Sequence, residues 1–157
     1  MDLPPARTAL PTPDPVPAPE TERFWAALRD HVLLLQRCAA CGEVIWYPRF
    51  FCPGCGSTST SWFEASGNGT IYSFTVVRKS RREGYTTAVP YVVASVELDE
   101  GPRVFTNIVE CDPDAVRIGQ RVTLTFAATE GGYTLYRFRP AGSAAGQENA
   151  HKGGADV

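Results

Sequence analysis

The stretch CAACGEVIWYPRFFCPGCG, residues 38–56, decides how this chain folds. It contains two Cys-x-x-Cys-Gly motifs, which we call the first knuckle (residues 38–42) and the second knuckle (residues 52–56). Four thiolates at this spacing can close a tetrahedron around one Zn²⁺, and the glycine after each pair suits a tight turn. Because four sulfurs fill the coordination shell, the pattern predicts a structural zinc ribbon. The predicted ligands are Cys38, Cys41, Cys52 and Cys55.

Other uses of cysteine fit this sequence less well. Two disulfides would require an oxidising compartment, and the chain has neither an apolar secretory segment nor a membrane-spanning run. A redox Cys-x-x-Cys motif usually occurs once, at the start of a helix, whereas both knuckles lie among glycine, proline and serine. We therefore predict a reducing, cytoplasmic location. The fifth cysteine, Cys111, precedes an Asp112-Pro113 turn signal and is predicted to take no part in the metal site.

The composition bounds the class of protein. The 157 residues are 43% apolar and 20% charged, as in an ordinary globular protein. A net charge of −2 argues against broad binding to nucleic acid, which needs a basic face.

Both ends of the chain differ from its middle. Residues 1–19 hold seven of the thirteen prolines, and residues 141–157 lack periodic apolar residues. We predict that both segments are disordered tails. The alternative for residues 1–19 is a docked proline-rich peptide.

The body between the tails begins with a helix and the ribbon. Phe24, Leu28 and Val32 recur at helical spacing, so residues 20–34 are assigned to an N-terminal helix. The zinc ribbon then covers residues 35–60.

Strand signals recur at short intervals after the ribbon. Thr, Val, Tyr and Phe dominate and alternate with a period of two, as half-buried strands require. The segments are 61–64, 70–77, 91–98, 103–109, 122–127 and 133–138. With no second amphipathic helix, the chain is predicted to be mainly β, and residues 61–140 to form a five-stranded Greek-key barrel of the OB-fold type.

The order of these features resembles a known family. From residue 24 to residue 140, the chain is similar to proteins that join a rubredoxin-like zinc ribbon to an OB-fold, known as domain of unknown function 35. The residues that carry the likeness are Phe24-Trp25, Leu35-Gln36-Arg37-Cys38, the two knuckles, Trp62, Gly67-x-Gly69-Thr70, Tyr72-Ser73, Pro90-Tyr91, Gly119 and Phe138-x-Pro140.

The resemblance implies a function and partners. Members of that family associate with acyl-CoA enzymes: thiolase-like enzymes, lipid-transfer-protein-like enzymes, and hot-dog hydratases of steroid side-chain degradation. Some members are fused to a hydratase domain. The implied role is a non-catalytic zinc-binding accessory subunit of an acyl-CoA-processing complex, acting in steroid or fatty acyl side-chain degradation. Its partner would be a thiolase-like enzyme or an aldolase of the lipid-transfer-protein type.

Two further segments are candidate binding surfaces. The basic loop, residues 78–82, carries the cations Arg78, Lys79, Arg81 and Arg82. Arginine forks match phosphate oxygens, so the loop is interpreted as an anion site for CoA or for an acidic patch on the partner. The alternative is a solvated loop.

The segment between the knuckles carries the rings Trp46, Tyr47, Phe50 and Phe51. These are too many for a small ribbon to bury, so contact with a partner and packing between modules are both open.

Catalytic machinery is sparse. The two histidines, His31 and His151, stand in no recognisable triad, so we expect no catalytic residue, and a self-sufficient thioesterase or hydratase is disfavoured. The second functional hypothesis is a protein that binds single-stranded nucleic acid, because zinc ribbons and OB-folds both serve that role. The acidic charge balance weakens this hypothesis.

Overall fold

The computed structural model describes residues 9–142, and the predicted disorder of residues 1–8 and 143–157 lies outside this range. The elements are a 3₁₀ turn (Pro19–Thr21), helix α1 (Glu22–Arg29) and strands β1 (Leu34–Cys38), β2 (Val44–Ile45), β3 (Thr60–Glu64), β4 (Asn68–Val77), β5 (Tyr91–Leu98), β6 (Arg103–Ile108), β7 (Arg121–Ala128) and β8 (Thr134–Pro140), with a second 3₁₀ turn at Pro113–Ala115. In the described range, no helix is long and apolar enough to cross a membrane.

The strands form two sheets. The first is a three-stranded antiparallel sheet in the order β2-β1-β3, and the second is a closed barrel in the order β4-β5-β6-β8-β7. The barrel closes through one parallel pairing, between Ile108 of β6 and Phe138 of β8. This strand order is that of the OB-fold Greek key, so the predicted fold class is confirmed.

The barrel core follows the period of two along its strands. In β5, Val92, Ala94 and Val96 are buried together with Phe138 of β8. Gly69 lets β4 lie this close to β5, because a Cβ at that position would stand 2.7 Å from the carbonyl oxygen of Glu97.

The helix is shorter than the predicted span of residues 20–34. It ends at Arg29 in a Schellman motif: Val32 N donates to Ala27 O at 3.0 Å, and His31 takes a φ of 60°. The ring of His31 then stacks on Phe126 at a centroid distance of 4.5 Å. The apolar Val32 continues the helical period after the helix has already turned away, which is why the pattern overestimates its length.

The segment predicted as the first barrel strand belongs to the ribbon instead. β3 pairs with β1 over its full length, for example Phe63 with Leu35 and Trp62 with Gln36. The barrel therefore starts at Asn68 and not at residue 61. A period of two identifies a strand, but it carries no information on which sheet the strand joins.

The proline-rich segment also differs from its prediction as a disordered tail. Residues 9–18, which we call the strap, lie against the barrel. Arg137 of β8 donates hydrogen bonds to the carbonyl oxygens of Leu10 and Pro11, and Asp14 accepts one from the backbone N–H of Gly131. The alternative of a docked proline-rich peptide therefore describes this part of the chain.

One aromatic cluster joins the helix, the ribbon and the barrel. Its centre is Phe24 of α1, which is fully buried. The ring of Phe24 lies 5.3 Å from Trp46 of the ribbon and 6.0 Å from Tyr136 of the barrel, in edge-to-face geometry in both cases. Trp25 and Tyr47 complete the cluster at 5.1 Å and 5.7 Å from Phe24.

We predict that Phe24→Ala destabilises the protein by about 3–5 kcal/mol, because it leaves a cavity where all three parts meet. Chemical unfolding monitored by tryptophan fluorescence measures this free energy. Phe105→Ala is the matched control, since Phe105 is 75% exposed and its loss should change stability little. A loss below about 1 kcal/mol for Phe24→Ala would contradict the role given to the cluster.

Candidate metal centre

The two knuckles have the same backbone geometry. In the first, Cys38 N donates to Glu43 O at 2.9 Å and Gly42 N donates to Cys38 O at 2.9 Å. The second knuckle repeats both bonds, at 2.8 Å and 2.9 Å. Each turn needs its glycine, because Gly42 and Gly56 have φ values of 78° and 75°, in the left-handed region.

The knuckles bring the four predicted sulfurs together. All four Sγ atoms lie within 4.8 Å of one another, and the Cys38–Cys55 and Cys41–Cys52 pairs are 3.6 Å apart. A tetrahedral zinc ion with bonds of about 2.3 Å holds its sulfurs about 3.8 Å apart, so the four are positioned to bind one metal ion. Cys111 is not part of this group.

The environment of the sulfurs lowers the pKa of one thiol and raises the pKa values of the other three. Hydrogen bonds from the backbone N–H groups of Cys41 and Ala40 lower the pKa of Cys38 to about 6, against the effect of burial. Burial raises the pKa of Cys52. The pKa values of Cys41 and Cys55 are also raised, in spite of the backbone N–H groups that face them, because burial and hydrogen bonds among neighbouring thiols favour the protonated form.

The buried Gln36 fixes the segment between the knuckles. The sequence alone assigned it no role. Gln36 of β1 is 4% exposed, and its Oε1 accepts a hydrogen bond of 2.8 Å from the backbone N–H of Arg49. A buried acceptor of this kind is costly to leave unpaired, so the bond ties the segment to the sheet. A lone polar residue in a strand gives no sequence signal for such a role.

The structure divides the four rings between the knuckles into two pairs. Trp46 and Tyr47 belong to the aromatic cluster, and the hydroxyl of Tyr47 accepts a 3.0 Å hydrogen bond from Nε1 of Trp25. Phe50 and Phe51 remain 65% and 52% exposed. The first pair therefore packs the modules together, while the second pair is available to a partner.

The cations of the basic loop have different surroundings. Arg78 forms an ion pair with Asp114, and the guanidinium of Arg82 lies over the ring of Tyr85 at 5.1 Å. Lys79 and Arg81 are exposed. The four cations thus do not share one set of contacts, and their use as an anion site stays a prediction.

These observations define a class: a four-cysteine ribbon packed through one helix onto an OB-fold barrel. Residues 25–61 match the model of the ChsH2 rubredoxin-like zinc ribbon domain, and residues 62–127 match that of the ChsH2 C-terminal OB-fold domain. The chain belongs to this zinc-ribbon and OB-fold family, domain of unknown function 35 (DUF35).

Relatives include subunits of larger assemblies. A DUF35 domain-containing scaffold protein of Methanothermobacter thermautotrophicus is 36% identical over 76% of this chain and 94% of its own length. A probable enoyl-CoA hydratase alpha subunit of Thermomonospora curvata is 41% identical over 75% of this chain, which spans only 37% of that relative. A chain in the solved structure of an Ltp2-ChsH2(DUF35) aldolase is 38% identical with a TM-score of 0.74, covering 82% of this chain and 99% of that one.

We predict that Cys52→Ser loses the bound metal and the order of the ribbon, because it removes one of four ligands. Elemental analysis of the purified protein checks this, with one ion expected per wild-type chain. Cys111→Ser is the control and should keep its metal. Full metal content in Cys52→Ser, or oxygen neighbours in the X-ray absorption spectrum of the wild-type ion, would contradict four-sulfur ligation.

The thiol pKa values predict the protons released when Zn²⁺ binds. At pH 7.5 the thiol of Cys38 is mostly ionised, whereas the other three ligands have raised pKa values and carry protons. Binding to a ribbon that keeps its fold without metal should therefore release about three protons, whereas a ribbon that unfolds without metal has four thiols of ordinary pKa and should release about four. In both cases the affinity should fall as the pH falls. Calorimetry of the metal-free protein in buffers of different ionisation enthalpy measures the number. Release of one proton or none would show that the thiols are already ionised.

Proposed function

We propose that this chain is a non-catalytic zinc-binding accessory subunit of an acyl-CoA-processing complex. It docks on a thiolase-like enzyme or on an aldolase of the lipid-transfer-protein type, in the cytoplasm, during degradation of steroid or fatty acyl side chains. The observation that carries the proposal is the likeness to the DUF35 chain of the Ltp2-ChsH2(DUF35) aldolase, which this chain covers almost completely.

The metal centre supports a scaffolding role for the ribbon. Four thiolates leave a zinc ion no open position for water or substrate, so its contribution is to folding. The second hydrophobic cluster of the described residues, at the knuckles, contains only Cys38, Ile45 and Cys52, which is too small to hold the two knuckles together by burial alone. Structural zinc contributes about 10–16 kcal/mol in model peptides and supplies what this core lacks.

The exposed pair Phe50 and Phe51 supports docking through the ribbon. Both lie between the knuckles, on the segment that the Gln36–Arg49 hydrogen bond fixes to the sheet. A cavity of about 300 Å³ beside Phe50 is lined in part by Trp62. Aromatic side chains on a rigid backbone are favourable anchors, because little conformational entropy is lost when they are buried.

The nucleic-acid hypothesis has less support. An OB-fold contacts single strands through its strand face and the loops beside it. Here the strap lies against one of those loops, since Asp14 accepts a hydrogen bond from Gly131. In the basic loop, Arg78 is paired with Asp114.

The test is co-purification with a thiolase-fold or lipid-transfer-protein-like enzyme of the same organism. We expect the wild-type chain to elute with its partner in size-exclusion chromatography, and Phe50→Ser combined with Phe51→Ser to weaken the complex at least tenfold. The matched control is Phe105→Ser, which removes an exposed ring from the barrel and should leave the complex intact.

The variants must retain their metal for this comparison to hold, and elemental analysis establishes that. A wild-type chain that stays monomeric with every such enzyme would overturn the proposed function. Equal weakening by the ribbon pair and by Phe105→Ser would keep a complex but remove the ribbon surface as its docking site.

A further inference from the structure

The strap crosses the place where an OB-fold meets its ligands. The loops that flank this place join the first to the second and the fourth to the fifth barrel strand, which here are residues 78–90 and 129–133. The strap touches both loops. Asp14 Oδ1 accepts a 3.1 Å hydrogen bond from Gly131 N, and a Cβ added to Gly84 would lie 3.5 Å from Cγ of Pro11.

A buried arginine recognises the strap through its backbone. Arg137 is 8% exposed, although the next residue, Phe138, is the one that fills the barrel core. The guanidinium of Arg137 donates to Leu10 O at 3.3 Å and to Pro11 O at 2.6 Å. Burial lowers the pKa of Arg137, because a buried guanidinium loses its hydration. The hydrogen bonds to the strap compensate for this cost and therefore matter for stability.

The sequence of the strap suits such recognition. Prolines alternate with other residues at positions 11, 13, 15 and 17. Alternating prolines favour an extended polyproline-type backbone whose carbonyl groups have no internal partner and stay available to an outside donor. Because that conformation is already populated before docking, little entropy is lost when the strap is ordered.

We propose that the groove between residues 78–90 and 129–133 is a recognition site for extended proline-rich peptides, with the strap as its intramolecular ligand. Arg137 binds two successive carbonyl groups, and the Gly131 N–H binds a carboxylate three residues after the second carbonyl. While the strap is in place, the groove is closed to a second extended peptide. This site uses contacts separate from Phe50 and Phe51 and does not depend on the proposed enzyme partner.

Competition between the tethered strap and a free peptide determines how much peptide binding an experiment should measure. A tethered segment acts at an effective concentration of roughly millimolar, so a free peptide at micromolar concentration competes poorly with the intact strap. A substitution within the strap weakens the tethered ligand without changing the groove. Binding of a wild-type peptide should then increase.

The experiment uses the full chain and a fluorescent peptide of residues 9–18, with anisotropy as the readout. Asp14→Ala in the chain should raise the apparent affinity for the peptide about tenfold, the effect expected for one lost hydrogen bond to a charged group. Asp30→Ala, which removes an exposed carboxylate at the end of α1, is the matched control and should bind as weakly as the wild type. A peptide that itself carries Asp14→Ala should lose most of the gain.

Amide exchange of the full chain gives a second readout. The N–H of Gly131 should exchange faster in Asp14→Ala than in the wild type, and added wild-type peptide should restore its protection. Arg137→Gln combined with Asp14→Ala should lose the peptide binding gained by Asp14→Ala alone, provided that its metal content and melting temperature are retained. If that variant does not fold, the two Asp14 comparisons decide alone.

Two results would overturn the proposal. The first is peptide binding that is absent or equally strong in the wild type, Asp14→Ala and Asp30→Ala. The second is equal exchange of the Gly131 N–H in the wild type and in Asp14→Ala.

Discussion

Four sulfur atoms within 4.8 Å of one another set the shape of the ribbon. Each sulfur pair belongs to a turn whose glycine adopts a left-handed conformation, and β2, between the turns, is only two residues long. Neither turn buries much apolar surface, so hydrophobic burial alone gives the two turns little stability. An ion held by these sulfurs would fix the two turns relative to each other and so restrict the segment between the knuckles, residues 43–51.

The same segment has two pairs of aromatic rings with different surroundings. Trp46 and Tyr47 turn inward onto Phe24, which fixes the ribbon against the helix and the barrel. Phe50 and Phe51 lie a few residues further along and stay exposed. A rigid module that is anchored on one side and presents aromatic rings on the other has the properties of a docking element. Loss of the metal would therefore disturb partner contact and inter-module packing together.

Local patterns in the sequence predicted much of this fold. The Cys-x-x-Cys-Gly motifs identified the four cysteines that the structure brings together, because ligand spacing is a short-range property. Alternation identified the barrel strands for the same reason. The sequence did not locate the end of α1, because Val32 keeps the helical period after His31 has adopted a left-handed conformation. It also placed β3 in the wrong sheet, since the partner of a strand is decided by contacts distant in the chain.

The candidate surfaces also depend on contacts between residues that are distant in the chain, which local sequence patterns do not predict. Nothing local to Arg137 distinguishes it from Arg139, which pairs with Glu110, yet Arg137 is the residue buried under the strap. Composition predicted a disordered tail for the proline-rich segment and could not show that residues 9–18 are docked, because docking depends on donors about 120 residues away in the chain, such as Arg137 and Gly131.

The strap changes what the OB-fold part of the chain can contribute. Arg82, Tyr85 and the neighbouring strands line an open groove of about 320 Å³ beside the strap, so the strap leaves this part of the barrel face accessible. With the strap seated, the Gly131 N–H and the two terminal guanidinium nitrogens of Arg137, Nη1 and Nη2, already have acceptors from the chain itself. A competing ligand must replace these hydrogen bonds at the same time. A single phosphate can accept from Arg137, but it is too short to accept from the Gly131 N–H as well, because the strap makes these contacts through residues 10–11 and residue 14. A second extended chain reproduces both contacts, which is the reason for proposing a peptide as the ligand of this groove, at a surface separate from the exposed rings of the ribbon.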